Sequence, residues 1–348
     1  MKKKVAVAMS GGVDSSLTAL LLKEQGYDVF GATILVTADS QPVVEEAAAV
    51  AGDLGIEHHI FDMTDIFRKN VIDYFLIEYE QGHTPNPCVE CNRHLKFKAF
   101  WQEAAALGAD LMSTGHYVSC ETGDDDIMKL RKGIDEAKDQ SYMLWHLDQA
   151  ILKRCLFPLG KMTKHQVRKL AGEKGLTSAG KKDSQDICFI PDGDYRRFLL
   201  ERRPDIGTKG RIVDSTGRYF GEHNGLPFYT VGQRKGLGIA YSEPLFVTGL
   251  DAGRNEVIVG TAEQVFSSEM EIKDLNFISG KLPVDPFRAE VKIRYSKKAA
   301  PADIVYLGDQ RAKIIFEVPQ RAITLGQSAV IYNGDYLLGG GIIDKVGN

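Results

Sequence analysis

The sequence predicts an α/β protein that begins with a parallel sheet and ends in a β-rich region. Apolar β-type runs alternate with helical stretches in the order 5–9, 15–23, 27–36, 43–54 and 58–61. After Arg203 and Pro204, glycine and β-branched residues become frequent and helical periodicity fades. Because alternating strands and helices form right-handed crossovers, the first region should be a parallel sheet with helices on both faces.

The early elements each carry a local signal. Residues 5–9 (VAVAM) form an apolar run that ends at a glycine pair, and the segment after it has leucines on one face. Residues 97–107 have a helical pattern, and 110–113 lead into the loop 114–117 (TGHY). Since ligands bind beyond the carboxyl ends of parallel strands, we expect this loop to lie beside the one that follows the first strand.

The later part of the chain is predicted to be mainly β. Its strand-like runs are 211–213, 256–259, 288–295, 312–318 and 329–332. We expect this region to divide near residue 265, the second part forming a small barrel or sandwich. The predicted domains are 1–203, 204–265 and 266–348.

Composition indicates an ordinary folded protein. Of the 348 residues, 43% are hydrophobic and 26% charged, which excludes a disordered or membrane-embedded chain. The start MKKKVAVAM lacks the features of a secretory signal, so we expect a cytoplasmic protein without membrane contact. The net charge of −4 gives no global signal for a polyanion, but segment 151–182 is locally basic and fits either a phosphate-backbone contact or a solvated helix face.

The strongest local signal is SGGVDSS at residues 10–16. Glycines after a strand let backbone N–H groups approach an anion, and the following helix adds its positive end. The motif lacks the spacing and the lysine of a Walker loop. It resembles instead the PP-loop of ATP pyrophosphatases, which transfer AMP to a substrate oxygen. Ser10 and Ser15 should then supply donors and Asp14 should position Mg²⁺ or a loop amide, whereas a simple glycine turn is the alternative.

Three of the five cysteines lie in polar loops. Cys88 and Cys91 follow TPNP, just before a helix that begins near Arg93, and Cys188 lies in KKDSQDICF. A helix N-terminus and nearby basic side chains should lower the pKa values of Cys88 and Cys91, although a pair of buried or incidental cysteines is the alternative. Cys120 and Cys155 have apolar or strand-like neighbours and are expected to be structural.

In order along the chain, SGGVDSS, TPNPCVECNRHLKF, TGHY, KDQSYMLW, DSQDICFI and YTVGQRKGLGIA resemble the motifs of tRNA-specific 2-thiouridylases. The resemblance implies an N-terminal PP-loop ATP pyrophosphatase domain (adenine nucleotide alpha hydrolase-like), a small central domain and a C-terminal β-barrel. It also implies ATP-dependent 2-thiolation of the wobble uridine at position 34 of tRNA. The sulfur would come from a persulfide sulfur-carrier protein.

The resemblance also implies roles for individual residues. It assigns the ATP phosphates to Ala8, Met9, Ser10, Gly11, Gly12, Val13, Asp14 and Ser15. It places Ile34 against the adenosine and lets the TGHY loop approach the nucleotide at Gly115. Asn86, Pro87 and Cys88 would frame the target base, Cys91 would be the nucleophile and Cys188 would carry the persulfide. Contacts to tRNA would come from Lys138, Asp139, Gln140, Arg294, Tyr295 and Gln327, with His116 as a further candidate.

The implied mechanism follows from leaving-group chemistry. A uridine carbonyl oxygen departs poorly, whereas an adenylated oxygen departs as AMP. The terminal sulfur of a Cys188 persulfide would then bond to C2, and attack by Cys91 would leave a Cys91–Cys188 disulfide for external reduction. Because the base must be turned out of its stack, an anticodon loop is a suitable substrate.

Two departures from the family pattern affect the site. Cys88 stands where aspartate is usual, and the segment after Ile34 is short and lacks the usual tryptophan and cysteine. Cys88, Cys91 and Cys188 could therefore hold a [4Fe–4S] cluster by three irons. A zinc ion with His94 or His83 and a merely substituted aspartate are the alternatives.

Other function classes remain open from the sequence. The same product could arise through the iron–sulfur centre, and a small-molecule PP-loop ligase or amidotransferase would need neither the cysteine pair nor the KDQ motif. A non-catalytic RNA-binding module leaves the SGGVDSS loop unexplained. The sequence does not predict which tRNAs are preferred, which protein donates sulfur or the oligomeric state.

Overall fold

A computed structural model of the chain describes residues 2–123, 125–181 and 187–347. Residues 182–186, which include the DSQD portion of the last cysteine motif, lie outside this range. In the described part the strands are β1 Lys4–Ala8, β2 Asp28–Leu35, β3 His58–Asp62, β4 Leu111–Ser113, β5 Val118–Thr122, β6 Met128–Lys132, β7 Cys155–Leu156, β8 Gly210–Asp214, β9 Tyr219–His223, β10 Phe246–Asp251, β11 Glu256–Gly260, β12 Phe266–Phe277, β13 Phe287–Lys292, β14 Ala300–Gly308, β15 Arg311–Arg321, β16 Ser328–Asn333 and β17 Tyr336–Val346.

Helices are concentrated in the first part of the chain. The α-helices are α1 Val13–Glu24, α2 Gln41–Leu54, α3 Thr64–Phe67, α4 Asp73–Glu80, α5 Pro87–Glu90, α6 Phe100–Ala106, α7 Gln149–Leu152, α8 Lys164–Glu173 and α9 Tyr195–Arg202. Two π-helical segments, Arg68–Ile72 and Cys91–Ala99, join α3 to α4 and α5 to α6. Short 3-10 turns lie at Ala38–Ser40, Ser141–Leu144, Pro158–Lys161, Thr177–Gly180, Pro204–Gly207, Leu226–Phe228 and Glu263–Val265.

The first region is the predicted parallel sheet, with strand order β3-β2-β1-β4-β7. Apolar residues of β1 (Val5, Ala6 and Val7) are completely buried because helices cover both faces. From β1 the chain builds outward to β2 and β3, then returns to place β4 on the other side of β1. The loops after β1 and β4 therefore meet where the strand order reverses, which is where parallel sheets bind ligands.

The later region forms two β units. β10, β11, β8 and β9 make a small mixed sheet, and β12-β15-β14-β13-β16-β17 closes into an antiparallel barrel because β12 also pairs with β17. The α/β fold with a small central domain and a C-terminal barrel is thus confirmed. Closure leaves this barrel without exposed strand edges among its own six strands.

One pairing crosses the predicted domain ranges. The hairpin β5–β6, which belongs by sequence to the first domain, extends the barrel sheet through Leu130 opposite Leu337 and Arg131 opposite Tyr336. The sequence analysis had not identified this hairpin. The ranges 1–203, 204–265 and 266–348 stay a prediction. Within the described residues, no helix combines the length and apolar character needed to cross a membrane.

Candidate active site at the carboxyl edge of the parallel sheet

The SGGVDSS loop turns sharply from β1 into α1. Gly11 has a φ of +67°, a backbone conformation that glycine adopts without strain. The Ser10 amide donates to Ser15 Oγ at 3.2 Å, and the hydroxyls of Ser15 and Ser16 donate to the Gly12 carbonyl at 3.1 and 2.9 Å. In the described chain no side chain caps α1 at Gly12, so its first amides are available to an anion. The loop therefore has the form of a phosphate cradle.

The carboxylate of Asp14 is engaged by two groups from elsewhere in the chain. Lys164 Nζ lies 2.8 Å from both carboxylate oxygens, and the Tyr117 hydroxyl donates to Asp14 Oδ1 at 2.6 Å. The sequence analysis expected Asp14 to position Mg²⁺ or a loop amide. In this structure Asp14 forms an ion pair with Lys164, and its role toward Mg²⁺ stays a prediction.

The TGHY loop lies directly against the start of α1. A Cβ on Gly115 would be 3.0 Å from Asp14 Cβ and 3.1 Å from the Ser15 amide nitrogen, so a larger residue would push the loop and α1 apart by a few tenths of an ångström. On the other side, the Thr33 hydroxyl donates to the Met9 carbonyl at 3.0 Å, which fixes the end of β2 to the loop. Ile34 follows, partly buried on β2. Three strand ends thus enclose the candidate nucleotide site, whose individual contacts remain predictions.

The basic segment 151–182 uses much of its charge inside the molecule. Its described ion pairs are Lys153–Asp126, Lys164–Asp14, Lys169–Glu173, Lys174–Glu24 and Lys181–Glu46. Lys181 also donates to the Gly11 carbonyl at 3.2 Å. Since paired lysines neutralise little external charge, the segment gives no support to a phosphate-backbone stripe. Lys182 lies outside the described residues.

The first two loop cysteines lie on one helical stretch, here called the cysteine helix, in which α5 continues into the π-helical segment Cys91–Ala99. Asn86 caps α5 by accepting from the Val89 amide at 3.4 Å, and Pro87 occupies the first turn, where its missing N–H is not needed. Cys88 is exposed on α5, and half-buried Cys91 begins the π-helical segment. Cys188 is exposed. All five described cysteines are free thiols.

The expectation of lowered thiol pKa values is wrong for this structure. Burial raises the pKa of Cys91 to about 12. Cys88 and Cys188 keep part of their surface exposed, but desolvation by the protein atoms around them also raises their pKa values. Lys96 opposes the rise at all three thiols, but its charge is outweighed by the loss of hydration. Cys188 and Cys88 act on Cys91 as neighbouring charges. The three thiols therefore share one electrostatic environment.

Lys96 is the functional candidate that sequence reasoning did not single out. In an α-helix, residues five apart point roughly 140° away from each other. The π-helical segment Cys91–Ala99 pairs residues five apart along the axis, which brings Lys96 towards the face of Cys91. The sequence shows lysines at 96 and 98 alike, and only the local helix geometry distinguishes them.

The positions of Cys88, Cys91 and Cys188 bear on whether these thiols could hold a metal. Among the described residues, no group of three or more His, Cys, Asp or Glu side chains lies close enough to hold a metal ion. In this conformation the described residues therefore do not fit a [4Fe–4S] cluster or a zinc ion. The same observation gives no support to His83 or His94 as zinc ligands, since each imidazole faces a glutamate, Glu78 and Glu90 respectively.

The cysteine helix and the nucleotide loops are in contact. The ring of Phe97 lies 5.7 Å from the ring of His116, and Gly115 beside it packs on Asp14. These contacts join the π-helical segment that begins at Cys91 to the phosphate cradle. The thiol-bearing segment and the nucleotide loops are therefore neighbours in the fold.

Comparisons with known proteins agree with this architecture. The model of the "tRNA methyl transferase HUP domain" matches residues 3–192, the corresponding PRC-barrel domain 196–261, and the "aminomethyltransferase beta-barrel domain" 267–343. A tRNA-specific 2-thiouridylase MnmA of Carboxydothermus hydrogenoformans is 47% identical over 99% of this chain and 98% of that protein. One from Clostridium acetobutylicum is 46% identical over 99% and 100%. The chain belongs to the tRNA-specific 2-thiouridylase family.

A more distant solved structure is the U34-tRNA thiolase NcsA of Methanococcus maripaludis with its [4Fe–4S] cluster. The match covers 58% of this chain and 68% of the thiolase chain, at 20% identity and with a TM-score of 0.38. A similarity this low carries no argument for a cluster in this 2-thiouridylase-family chain.

Several residues that the 2-thiouridylase resemblance assigned to tRNA are engaged internally. His116 is 8% exposed and bonded to Thr114 at 2.8 Å, and burial lowers its pKa to about 3. Asp139 is 7% exposed and accepts from the amides of Gly133 and Ser141. Gln140 accepts from the Tyr117 amide at 3.0 Å. These side chains therefore help to hold their own loops in place, and their contact with tRNA stays a prediction.

The other tRNA candidates lie at the junction with the barrel. Arg294 is half-buried and donates to the Val231 carbonyl and the Thr324 hydroxyl. Tyr295 is 40% exposed, with Lys292 Nζ 5.3 Å from its ring centre. Lys138 is half-buried and acts electrostatically on Tyr295. In this 2-thiouridylase-family chain, Tyr295 and Lys138 thus remain predicted contacts at one surface.

Proposed function

We propose that this protein is an ATP-dependent tRNA-uridine 2-sulfurtransferase that thiolates C2 of the wobble uridine. The observation that carries the proposal is the contact of the cysteine helix with the nucleotide loops through Phe97 and His116. Full-length relatives named 2-thiouridylases support sulfur transfer rather than the methyl transfer that the family-model description mentions.

Adenylation comes first in the proposed reaction. The SGGVDSS loop holds the ATP phosphates, the C2 oxygen attacks the α-phosphate, and pyrophosphate leaves. Mg²⁺ would accompany ATP at this loop, where Asp14 is the nearby carboxylate. The adenylated oxygen then departs as AMP when sulfur attacks C2.

Sulfur transfer follows at the thiols. A persulfide on Cys188, supplied by a sulfur-carrier protein, bonds through its terminal sulfur to C2. Cys91 then attacks the Cys188 sulfur, which breaks the S–S bond and releases the thiolated base. The product is a Cys91–Cys188 disulfide, which an external thiol reduces with two electrons. The tRNA anticodon loop is the proposed substrate, and the cytoplasm is the proposed location.

The decisive experiment is mass analysis of bulk tRNA from a deletion strain. We expect 2-thiouridine to be lost and to be restored by the wild-type gene but not by Cys91→Ser. Unchanged 2-thiouridine would instead favour a small-molecule PP-loop ligase. In vitro, labelled ATP should yield AMP and pyrophosphate, and formation of ADP would contradict adenylation.

The iron–sulfur route to the same product is the second candidate, motivated by Cys88 in place of aspartate. The described thiol positions do not favour it. Protein purified without oxygen and reconstituted with iron and sulfide should therefore contain no cluster, and Cys88→Asp should retain thiolation from a persulfide donor. If the wild-type protein binds iron, and Cys88→Asp loses both the iron and the activity, this choice would be reversed.

A further inference from the structure

Two ion pairs join α1 and α8 at matching positions. Asp14 pairs with Lys164, and ten residues later Glu24 pairs with Lys174. The helices therefore run in the same direction, and the two pairs lie about 15 Å apart along them. The pairs differ in environment, because the side chains of Asp14 and Lys164 are 32% and 12% exposed against 43% and 39% for Glu24 and Lys174.

The first pair lies at the phosphate cradle. A carboxylate in the first turn of α1 interacts well with the helix dipole, but it would repel a polyphosphate bound at the same amides. Lys164 reaches both oxygens of Asp14 at 2.8 Å and compensates this charge. Lys164 thus gives the phosphate cradle a positive charge that the SGGVDSS motif itself lacks.

Lys164 is held in place on every side. The Thr163–Gln166 capping box fixes the start of α8, and the Lys164 amide donates to Asp135 at 2.8 Å. Its ammonium lies 5.7 Å from the ring centre of Tyr117, the residue that also bonds Asp14. Little side-chain entropy remains to be lost when such a preorganised ammonium meets a ligand.

We propose that Lys164 is a phosphate-binding residue of the ATP site, which moves from Asp14 to the phosphates that leave as pyrophosphate. The inference rests on the proposed function of the SGGVDSS loop. An ammonium beside the departing pyrophosphate stabilises the negative charge that develops on it. Asp14 holds the ammonium ready when no nucleotide is bound.

The test compares Lys164→Met with wild type in binding ATP, pyrophosphate and AMP, measured by calorimetry in EDTA so that no divalent cation competes for Asp14. Because a charged hydrogen bond is lost, the affinities for ATP and pyrophosphate should fall about 10- to 100-fold. AMP affinity should stay within about 2-fold, since AMP lacks the leaving phosphates. Lys174→Met is the matched control, because it removes the same charge from the same helix pair far from the loop.

The inference would be overturned if Lys164→Met bound ATP as tightly as wild type. It would also be overturned if AMP affinity fell by the same factor as ATP affinity. If Lys164→Met does not fold, the double variant Asp14→Asn with Lys164→Met is compared with Asp14→Asn alone, since no carboxylate is then left unpaired. Similar ATP affinity in these two would also overturn it. A wild-type protein that binds no ATP either in EDTA or with Mg²⁺ present would instead contradict the proposed function itself.

Discussion

The side-chain amide of Gln327 donates a 2.7 Å hydrogen bond to the backbone carbonyl of Thr84. The Thr84 amide in turn donates to the Leu325 carbonyl at 2.9 Å, and Gly326, with a φ of +82°, leaves no room for a Cβ beside His83. The barrel therefore holds the TPNP loop that precedes the cysteine helix. Gln327, assigned to tRNA by resemblance, has a positioning contact in this structure.

We expect Gln327→Leu to slow thiolation while leaving tRNA affinity and its salt dependence unchanged. The lost hydrogen bond, worth about 0.5–1.5 kcal/mol, should lower the rate about 2- to 10-fold. Single-turnover thiolation and filter binding would measure the two effects. Gln320→Leu is the control, because the bond its amide makes among the described residues is a local one to the Val318 carbonyl. Weaker tRNA binding in Gln327→Leu would instead indicate a direct contact with tRNA.

Cysteine variants should divide into two groups. Cys91→Ser and Cys188→Ser are each expected to abolish thiolation, because one thiol attacks and the other carries sulfur in the proposed relay. Cys120→Ser and Cys155→Ala should retain most activity, since Cys155 is buried and Cys120 lies on β5 of the barrel sheet. A gel shift of thiolated tRNA would score all four. Substantial activity in Cys188→Ser would overturn its sulfur-carrying role.

Lys96→Met should shift the pH dependence of thiolation. Burial places the Cys91 pKa at about 12, so the thiolate fraction and the rate should rise with pH over the range 7–9.5. Removing the Lys96 charge raises this pKa further, which lowers the neutral-pH rate about 10-fold for each pKa unit. Lys96→Arg should behave like wild type, and exposed Lys98→Met serves as the control. Identical profiles in Lys96→Met and wild type would contradict this role.

His116 should make the protein less stable in acid. Its folded pKa of about 3 lies below the ordinary 6.5, so the unfolded chain binds more protons and stability rises with pH between these values. Lowering the pH from 7.5 to 5 should reduce the free energy of unfolding by about 2 kcal/mol through this group alone. Burial also lowers the pKa of His146, so His116→Gln should reduce the acid loss without removing it. Thermal unfolding at the two pH values, with exposed His165→Gln as control, would reveal the difference, and equal losses in wild type and His116→Gln would argue against it.

Lys138 and Tyr295 should affect tRNA binding in different ways. Lys138→Met should weaken binding and reduce the salt slope by about one unit, as expected for one lost phosphate contact. Tyr295→Ala should weaken binding by about 1–3 kcal/mol without changing the slope, since an exposed ring contributes by stacking. Salt titrations of filter binding would separate the two. ATP affinity should not change in either variant, and a loss of it would place these residues in the nucleotide site.

The sequence alone was sufficient for the fold class and the family, and it predicts the phosphate cradle and the reactive cysteines. Strand–helix alternation and glycine spacing are local properties, and the ordered motifs identify the family without any tertiary contact. Even so, the hairpin β5–β6 escaped detection because its partner strand, β17, lies more than two hundred residues away in the chain. Its assignment to the barrel sheet depends on that long-range pairing.

The environment of the reactive groups was decided by tertiary structure. The basic residues around Cys91 predicted a lowered pKa, yet desolvation outweighs their charge, and desolvation depends on how other segments cover the thiol. Lys96 reaches the cysteine face only because the helix is π-helical there, and Lys164 reaches Asp14 only because α8 packs beside α1. A sequence pattern specifies which groups are present. Their charge states and partners depend on distances between segments, which only the packed chain determines.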